Sequence, residues 1–533
     1  MSWFVETVAT ICLVWCCFIV IVQTVGICAI FRYFSRQPQP SISAKQGSEA
    51  PWVTVIRPVK GLEPNLYDCI ASTFRLDYPH DRYSIRLCVE DVDDAAYPIL
   101  EQLVRDFPGF DVQILVEAQD PVLHGPHGHI ENLGPNPKIR NISRAYREAK
   151  GDIIWIIDCN VWVSTGVLGR MVDKLSGFAS QGKVVRPYKF VHHMPLVVDT
   201  VDYSRDATSQ QALLASTGSS NDMGTMNMGE DLSTRVWTQG GGRLDEMFMS
   251  TTHVKFYGAI NSVGIAPCIV GKSNMFRKSH LEQVTALSRP SAPGRPSRPT
   301  GIDHFSFNIC EDHLIGDLLW KSNIPGFLNH GIVWGDLVIQ PMAGMGVASY
   351  VARRVRWLRA RKFTVLAATL VEPGVESILC CAYLAFALTT LPWFHRNLGI
   401  SQTWTAGGCI WLIAMTAWLT VDWFIFQHLH TGNSMKTDAS TPKFAQGTRR
   451  SGGMNKRPFK EWLPAWIGRE VLALPIWTTA VLLGTTVSWR GRSFSVDMHG
   501  AVKAIGDKDI PVRPLLRTPE LERARPRSKD RLD

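Results

Sequence analysis

Three places in this 533-residue chain gather carboxylates next to apolar text. The run Ile85–Val89 leads into CVEDVDD, Cys88 to Asp94, with Glu90, Asp91, Asp93 and Asp94 inside five residues. The apolar run Ile153–Ile157 ends on Asp158, followed by Cys159 and Asn160. Glu311 and Asp312 open the pattern NICEDHLIGDLL. Acids at the tips of buried strands are costly unless a cation answers them. A hard divalent cation, Mg²⁺ or Mn²⁺, would suit Asp158, because such ions take oxygen ligands and complete their shells with water and substrate phosphates. A solvated turn accounts equally well for residues 90–94. Acids that merely stabilise a helix N-terminus account for Glu311 and Asp312.

Two basic segments complement these acids. NPKIRN, Asn136 to Asn141, offers Lys138 to a phosphate, although a lone lysine at a helix start more commonly faces solvent. Further on, ARRVRWLRARK carries six basic residues between Arg353 and Lys362. On a helix Arg353, Arg356 and Trp357 share one face, and Val351, Val355 and Leu358 another. That describes an amphipathic helix at a membrane interface, whether it binds substrate or headgroups alone.

The elements that must position these residues alternate in type. Val53–Val59, Ile85–Val89, Val112–Val116 and Ile153–Ile157 read as buried strands. Leu62–Phe74, Ala95–Phe107 and Pro137–Ala149 read as helices between them. The alternation predicts an α/β domain with a mostly parallel sheet, whose ligands bind beyond the carboxyl ends of the strands. The text of 205–249 and 288–304 reads as inserted loops, rich in Ser, Gly, Asn, Met and Pro.

Thr7 to Phe31 is free of charge for 25 residues, enough to cross a bilayer. Glu6 precedes it, and Arg32, Arg36 and Lys45 follow, which predicts a cytosolic domain after the span. Three further apolar stretches, about 377–392, 398–421 and 471–489, predict a C-terminal membrane region. The loop 427–462 between the last two carries Lys436, Lys443, Arg449, Arg450, Lys456, Arg457 and Lys460, a cytosolic signature. At 471–489 the charge rule and the span count disagree, because another crossing would carry Arg490 and Arg492 outward.

Composition fits this mixture. Hydrophobic residues make up 45% and charged residues 19%, which excludes disorder throughout. A net charge of +9 favours anionic partners, meaning phosphate esters, nucleic acid or lipid headgroups. The twelve cysteines show no CxxC spacing, which argues against zinc ribbons and thioredoxin-type chemistry. Free thiols suit a reducing compartment.

Taken in order, Asp94, Asp158, Asp312 and Arg353-x-x-Arg356-Trp357 resemble the D, D, D, (Q/R)xxRW signature of inverting, membrane-bound family-2-like glycosyltransferases. RPVKGLEPNL, LDYP, CVEDVDD, NPKIRN, IAPCIVGKSNMFRK and RRVRW look like the ceramide glucosyltransferase family, in a fungal form. The resemblance implies a GT-A (Rossmann-like) domain, UDP-glucose and ceramide as substrates, a divalent cation, and a Golgi or endoplasmic reticulum membrane with the domain on its cytosolic face. Nucleic acid is not among the implied partners. It implies Asp312 as general base. Glu90, Asp94, Lys138 and Asp158 fall on the donor side, with Asp158 on the metal. Arg353, Arg356 and Trp357 close over the diphosphate, and His253 and Glu311 lie toward the acceptor. Asn160 stands where other family-2 enzymes place a second aspartate, which leaves a neutral oxygen there. A processive cellulose- or chitin-type synthase shares the last motif, and a non-catalytic membrane transporter or scaffold would also hold acids near spans. The expected organisation is an anchor and linker over 1–49, a catalytic domain over 50–346, and an amphipathic interfacial helix over 347–366. A membrane region over 367–489 and a basic, disordered tail over 490–533 follow.

Overall fold

A computed structural model describes residues 3–124, 133–178, 185–201, 237–287, 299–449, 453–454, 456–489, 492–497 and 500–505. Its central sheet is built from β1 (Val53–Pro58), β2 (Tyr83–Val89), β3 (Val112–Val116), β4 (Ile153–Ile157), β5 (Tyr188–Asp199), β6 (Ser273–Arg277) and β7 (Leu328–Met342). The order is β3-β2-β1-β4-β6-β5-β7. β1, β2 and β4 are buried along their whole length, which is why their text is largely apolar rather than alternating, with Thr54 and Arg57 in β1 and Ser84 and Arg86 in β2 as buried exceptions. They pair in parallel with one another and with β3, whereas β6 runs antiparallel between β4 and β5. The parallel half ends its strands side by side, Pro58 opposite Cys88. Lys60, Glu90 and Asp158 therefore emerge along one edge. This is the α/β domain with a mostly parallel sheet half that the alternating pattern anticipates.

Among the described residues the helices include α1 (Trp3–Tyr33), α2 (Leu66–Ala71), α3 (Tyr97–Asp106), α4 (Pro137–Arg147), α5 (Val167–Ser176), α6 (Gly241–Ser250), α7 (Thr252–Val263), α8 (Lys278–Leu287), α9 (Glu311–Lys321), α10 (Val347–Arg361), α11 (Leu366–Val371), α12 (Ser377–Thr390), α13 (Trp404–His430) and α14 (Phe459–Val481). Among the described residues α1 and α13 are long and apolar enough to cross a membrane. The segment 366–375 and α12 form a pair bent by 70°, which would add a third span if the pair crosses as one. α1 lies directly on α7: a Cβ on Gly26 would fall 1.9 Å from the Lys255 carbonyl oxygen. Lys255 in turn meets Asp422 of α13 at 2.6 Å, both side chains fully buried. The pair joins α7 to α13.

Several expectations are corrected. The expected loop 205–249 ends in α6, whose ten residues are all buried; residues 205–236 lie outside the described residues. In 288–304, Ile302 belongs to a turn packed in the core beside α4 and α9; residues 288–298 are outside the description. The stretch 471–489 is not one apolar helix. Its first part is the end of α14, which buries Arg469 and Glu470 against Glu376. Its last part is a strand, β8 (Thr486–Trp489). Of the expected disordered tail, β9 (Arg492–Val496) pairs with β8 on one side and with β10 (Val502–Ala504) on the other, in a three-stranded antiparallel sheet. Residues 490–491, 498–499 and 506–533 lie outside the description.

Contacts tie the two ends of α14 to α6 and to the end of α10. Before it, Arg457 pairs with Glu246 of α6 at 2.9 Å. After it, Lys362 donates to the Gly484 carbonyl at 2.9 Å. The basic loop also rests on the α/β domain, through Lys436 to Asp77 and Arg75 to the Ser440 carbonyl. The helix at 347–366 is amphipathic, but protein covers its apolar face: Tyr350 and Leu358 pack with Leu244, Ile476 and Ala480. The apolar side chains turned outward belong instead to α11, with Leu366 and Leu370, and to α14, with Ile467, Val471 and Leu474.

Candidate active site

One cavity of about 530 Å³ lies between the strand ends, the start of α9 and one face of α10. Lys138, Asp158, Asn160, His253, Glu311, Asp312, Arg353, Arg356 and Trp357 all line it. Sequence positions more than two hundred residues apart thus converge on one space.

Lys138 sits at the centre. Asn136 caps α4, its side-chain oxygen accepting from the Lys138 and Ile139 amides, and Pro137 fixes the first turn. The cap aims the lysine inward. Its ammonium is 3.1 Å from Glu311, 3.1 Å from Asp312 and 3.3 Å from Asp158. Burial opposes its charge, but the three carboxylates outweigh that cost and hold its pKa well above the ordinary value. The amide of Asn136 also donates to the Asn308 carbonyl and to Glu311 at 3.1 Å, joining the lysine to the acid pair.

Asp158 is held from both sides. Lys272, at 2.9 Å, takes one carboxylate oxygen, while Lys138 faces the other. Burial alone would raise its pKa, but the two lysines keep it well below the usual carboxylate range. Behind it the buried Arg57 donates to the main-chain carbonyls of Asp158 and Val161, at 3.0 and 3.1 Å. Arg57 fixes the turn after β4. Asn160 donates to Glu63 at 3.2 Å, and its own buried side-chain oxygen has no hydrogen-bond partner. Among the described residues no group of three His, Cys, Asp or Glu forms a closed metal cage.

Asp312 rests against the backbone of Gly271, where a Cβ would overlap its carboxylate at 1.7 Å. The strap Val270–Lys272 therefore touches both acids, Lys272 on Asp158 and Gly271 on Asp312. The adjoining Glu311 is pushed up to about 7 by burial and by Asp312, with Lys138 working the other way. His253 also lines the cavity, and burial, reinforced by Arg354 and Arg361, lowers it to about 3, so the ring is neutral. On α10, Arg353 lies over the Trp357 ring at 4.6 Å and 3.3 Å from the fully buried Asp245. Arg354 stacks on Phe248 and meets Glu372 at 3.5 Å.

Asp94 and Glu90 stand at the rim and do not line the cavity. Asp94 accepts from the Gly61 amide at 2.8 Å and from Ala96 at 2.9 Å, which pins the loop after β1. Gly61 there has a φ of +66°, a conformation that side-chain-bearing residues rarely adopt. Glu90 pairs with Lys60 at 2.6 Å. Sequence reasoning missed Arg57, Gly271, Lys272 and Asp245. The quoted segment IAPCIVGKSNMFRK contains two of them, but nothing local marks their partners.

The chain matches Glycosyl transferase family 21 over residues 9–200 and 233–502. It is 50% identical to the ceramide glucosyltransferase of Gibberella zeae over 99% of both chains. It is 54% identical to that of Pyricularia oryzae, over 91% of this chain and 92% of the relative. The ceramide glucosyltransferase of Komagataella phaffii is 32% identical, over 92% and 91%. Among solved structures, the Pyrobaculum calidifontis mannosyltransferase PcManGT, in complex with GDP-Man and Mn²⁺, superposes with a TM-score of 0.38 at 12% identity, over 80% of this chain and 98% of its own. Matched on both sides of the 201–232 gap, and carrying its acids and arginines in one cavity, the chain is a glycosyltransferase that belongs to Glycosyl transferase family 21.

Proposed function

We propose that the chain transfers glucose from UDP-glucose to the primary hydroxyl of ceramide, with inversion, giving β-glucosylceramide and UDP. The observation that carries this reading is the cavity itself, where Asp312 faces the basic face of α10 across one space. Asp312 accepts the hydroxyl proton as the ceramide oxygen forms its bond to the anomeric carbon. The bond from that carbon to the diphosphate breaks on the opposite face, and UDP leaves with the electron pair. A positioned base of this kind contributes about 10²–10⁴-fold. Lys138, Lys272, Arg353 and Arg356 answer the charge that grows on the departing diphosphate.

A divalent cation, Mg²⁺ or Mn²⁺, fits the residues present. The Asp158 carboxylate and the unpartnered Asn160 oxygen would hold it, with water and the diphosphate supplying the other ligands. Such an ion supplies Lewis-acid stabilisation of the leaving group. We assign Glu90, Asp94, Lys138 and Asp158 to the donor side, and His253 and Glu311 to the acceptor side.

Ceramide's chains stay in the bilayer, because withdrawing each methylene costs about 0.8 kcal/mol. The outward apolar faces of α11 and α14 support a cavity that opens at the membrane surface, where only the headgroup would have to rise. The basic residues after α1 and in the loop before α14 favour the cytosolic face, on a Golgi or endoplasmic reticulum membrane. Protease treatment of sealed vesicles tests the orientation: residues 50–350 should be cut without detergent, and their protection would overturn it. The activity itself is tested by incubating purified protein with labelled UDP-glucose, ceramide and Mn²⁺. Label in monoglucosylated lipid supports the reading, and label in a polymer or in no product rejects it.

A further inference from the structure

The sheet formed by β8, β9 and β10 follows the last membrane-associated helix, yet it packs on the catalytic domain. Its core of Val487, Phe494, Val496 and Val502 meets Ile309 and Phe363. Val502 donates its amide to the Phe307 carbonyl at 2.8 Å, and Asn308 donates to the Gly500 carbonyl at 2.9 Å. These contacts fix the sheet to the segment that leads into Glu311 and Asp312. Arg359 donates to the Thr486 carbonyl at 2.7 Å, which fixes it to the basic helix α10 as well. At its far edge Arg492 reaches Glu90 at 3.1 Å, beside Lys60, at the carboxyl ends of β1 and β2. Trp489 lines the cavity together with Pro58, Lys60 and Glu63.

We infer that this sheet is the outer wall of the donor site, with Trp489 packed against the bound uridine diphosphate and the Arg492–Glu90 pair holding that wall in place. The reasoning rests on the donor reading above. Nucleotides bind beyond the carboxyl ends of parallel strands, and that is where Trp489 and Arg492 stand. An aromatic ring is the side chain that best covers a nucleotide, and a guanidinium at the rim suits a diphosphate. The wall also touches the base-bearing segment and α10. The C-terminal segment is therefore part of the site and not an appendage.

The test uses the full chain in nanodiscs. UDP alone should raise hydrogen-exchange protection of 486–489 and 492–496, and a short-chain ceramide alone should not. Trp489→Ala should raise the KM for UDP-glucose about tenfold, within the range for losing one base–aromatic contact. The KM for the acceptor should stay unchanged, a split that a merely structural role would not produce. Arg492→Gln should have a smaller effect, under about fivefold, as for an exposed ion pair. If UDP binds by calorimetry but leaves the protection of 486–496 unchanged, the wall assignment falls while the donor reading stands. A folded Trp489→Ala protein with a normal KM for UDP-glucose also overturns it. Absence of UDP binding to the wild type would reject the donor reading first.

Discussion

Gly271→Ala is the smallest change that should disable this protein without unfolding it. The added Cβ would lie 1.7 Å from one carboxylate oxygen of Asp312 and 2.2 Å from its carboxyl carbon. Van der Waals contact needs roughly 3.5 Å, so one group has to withdraw by well over an ångström. The strap is tied down by Lys272 on Asp158 and by the Asp158 amide on the Lys272 carbonyl, whereas the Asp312 side chain is partly open to the cavity. The carboxylate moves, and its 3.1 Å contact with Lys138 breaks. A displacement of that size at a reacting group costs about 10²-fold in rate. The assay is glucose transfer to a fluorescent short-chain ceramide, with the melting temperature and UDP affinity measured alongside. The expectation is a kcat lowered about a hundredfold with UDP affinity unchanged. Because the effect acts through Asp312, Gly271→Ala should add almost nothing in an Asp312→Asn background. Near-normal kcat in the single variant, or full additivity in the double one, would refute the reasoning.

Three further outcomes follow from other parts of the structure. Lys272→Met should weaken UDP binding about ten- to a hundredfold by calorimetry with Mn²⁺, because it removes a charge-assisted hydrogen bond from Asp158; unchanged affinity would remove Lys272 from the donor site. Lys255→Met should lower stability in detergent by about 3–5 kcal/mol by stranding the buried Asp422, and Lys255→Met with Asp422→Leu should recover much of it; a single variant as stable as wild type would show the pair to be idle. Glu311, pushed up to about 7 in the folded protein against 4.5 ordinarily, holds a proton that the unfolded chain has already released. Stability should therefore fall as pH rises between those values, and Glu311→Gln should flatten the dependence in melting curves; an identical slope in the variant would place the titration elsewhere.

What the sequence made legible depended on whether a residue's partners were near or far. β1, β2, β3 and β4 could be read directly, because they are short, largely apolar runs rich in β-branched residues, fully buried in β1, β2 and β4. β5 and β7 could not. Their buried His192, His193 and Asp336 are answered by Tyr257, Ser273 and Arg170, far along the chain. α6 read as loop for the same reason: Glu246 is paired by Arg457 and Asp245 by Arg353, so local polarity misled. At 471–489 the apolar letters were real but served two elements, a helix with a buried charged pair and a strand. In the site, Asp158 stood out because an acid at a strand tip is visible in the text. Lys272 and Arg57 did not, since a lysine and an arginine acquire meaning there only once Asp158 lies beside them.

The central claim is that one cavity performs a single inverting displacement with Asp312 as base. It is tested most directly by comparing wild type and Asp312→Asn in one assay. Purified protein receives labelled UDP-glucose, ceramide in mixed micelles and Mn²⁺, and the anomeric configuration of the lipid product is read by NMR. Calorimetry measures UDP binding in the same preparations. The account predicts β-glucosylceramide from the wild type, and a kcat lowered about 10²–10⁴-fold with intact UDP binding from Asp312→Asn. An α-linked product, or an Asp312→Asn protein that still turns over at a rate near wild type, would contradict it.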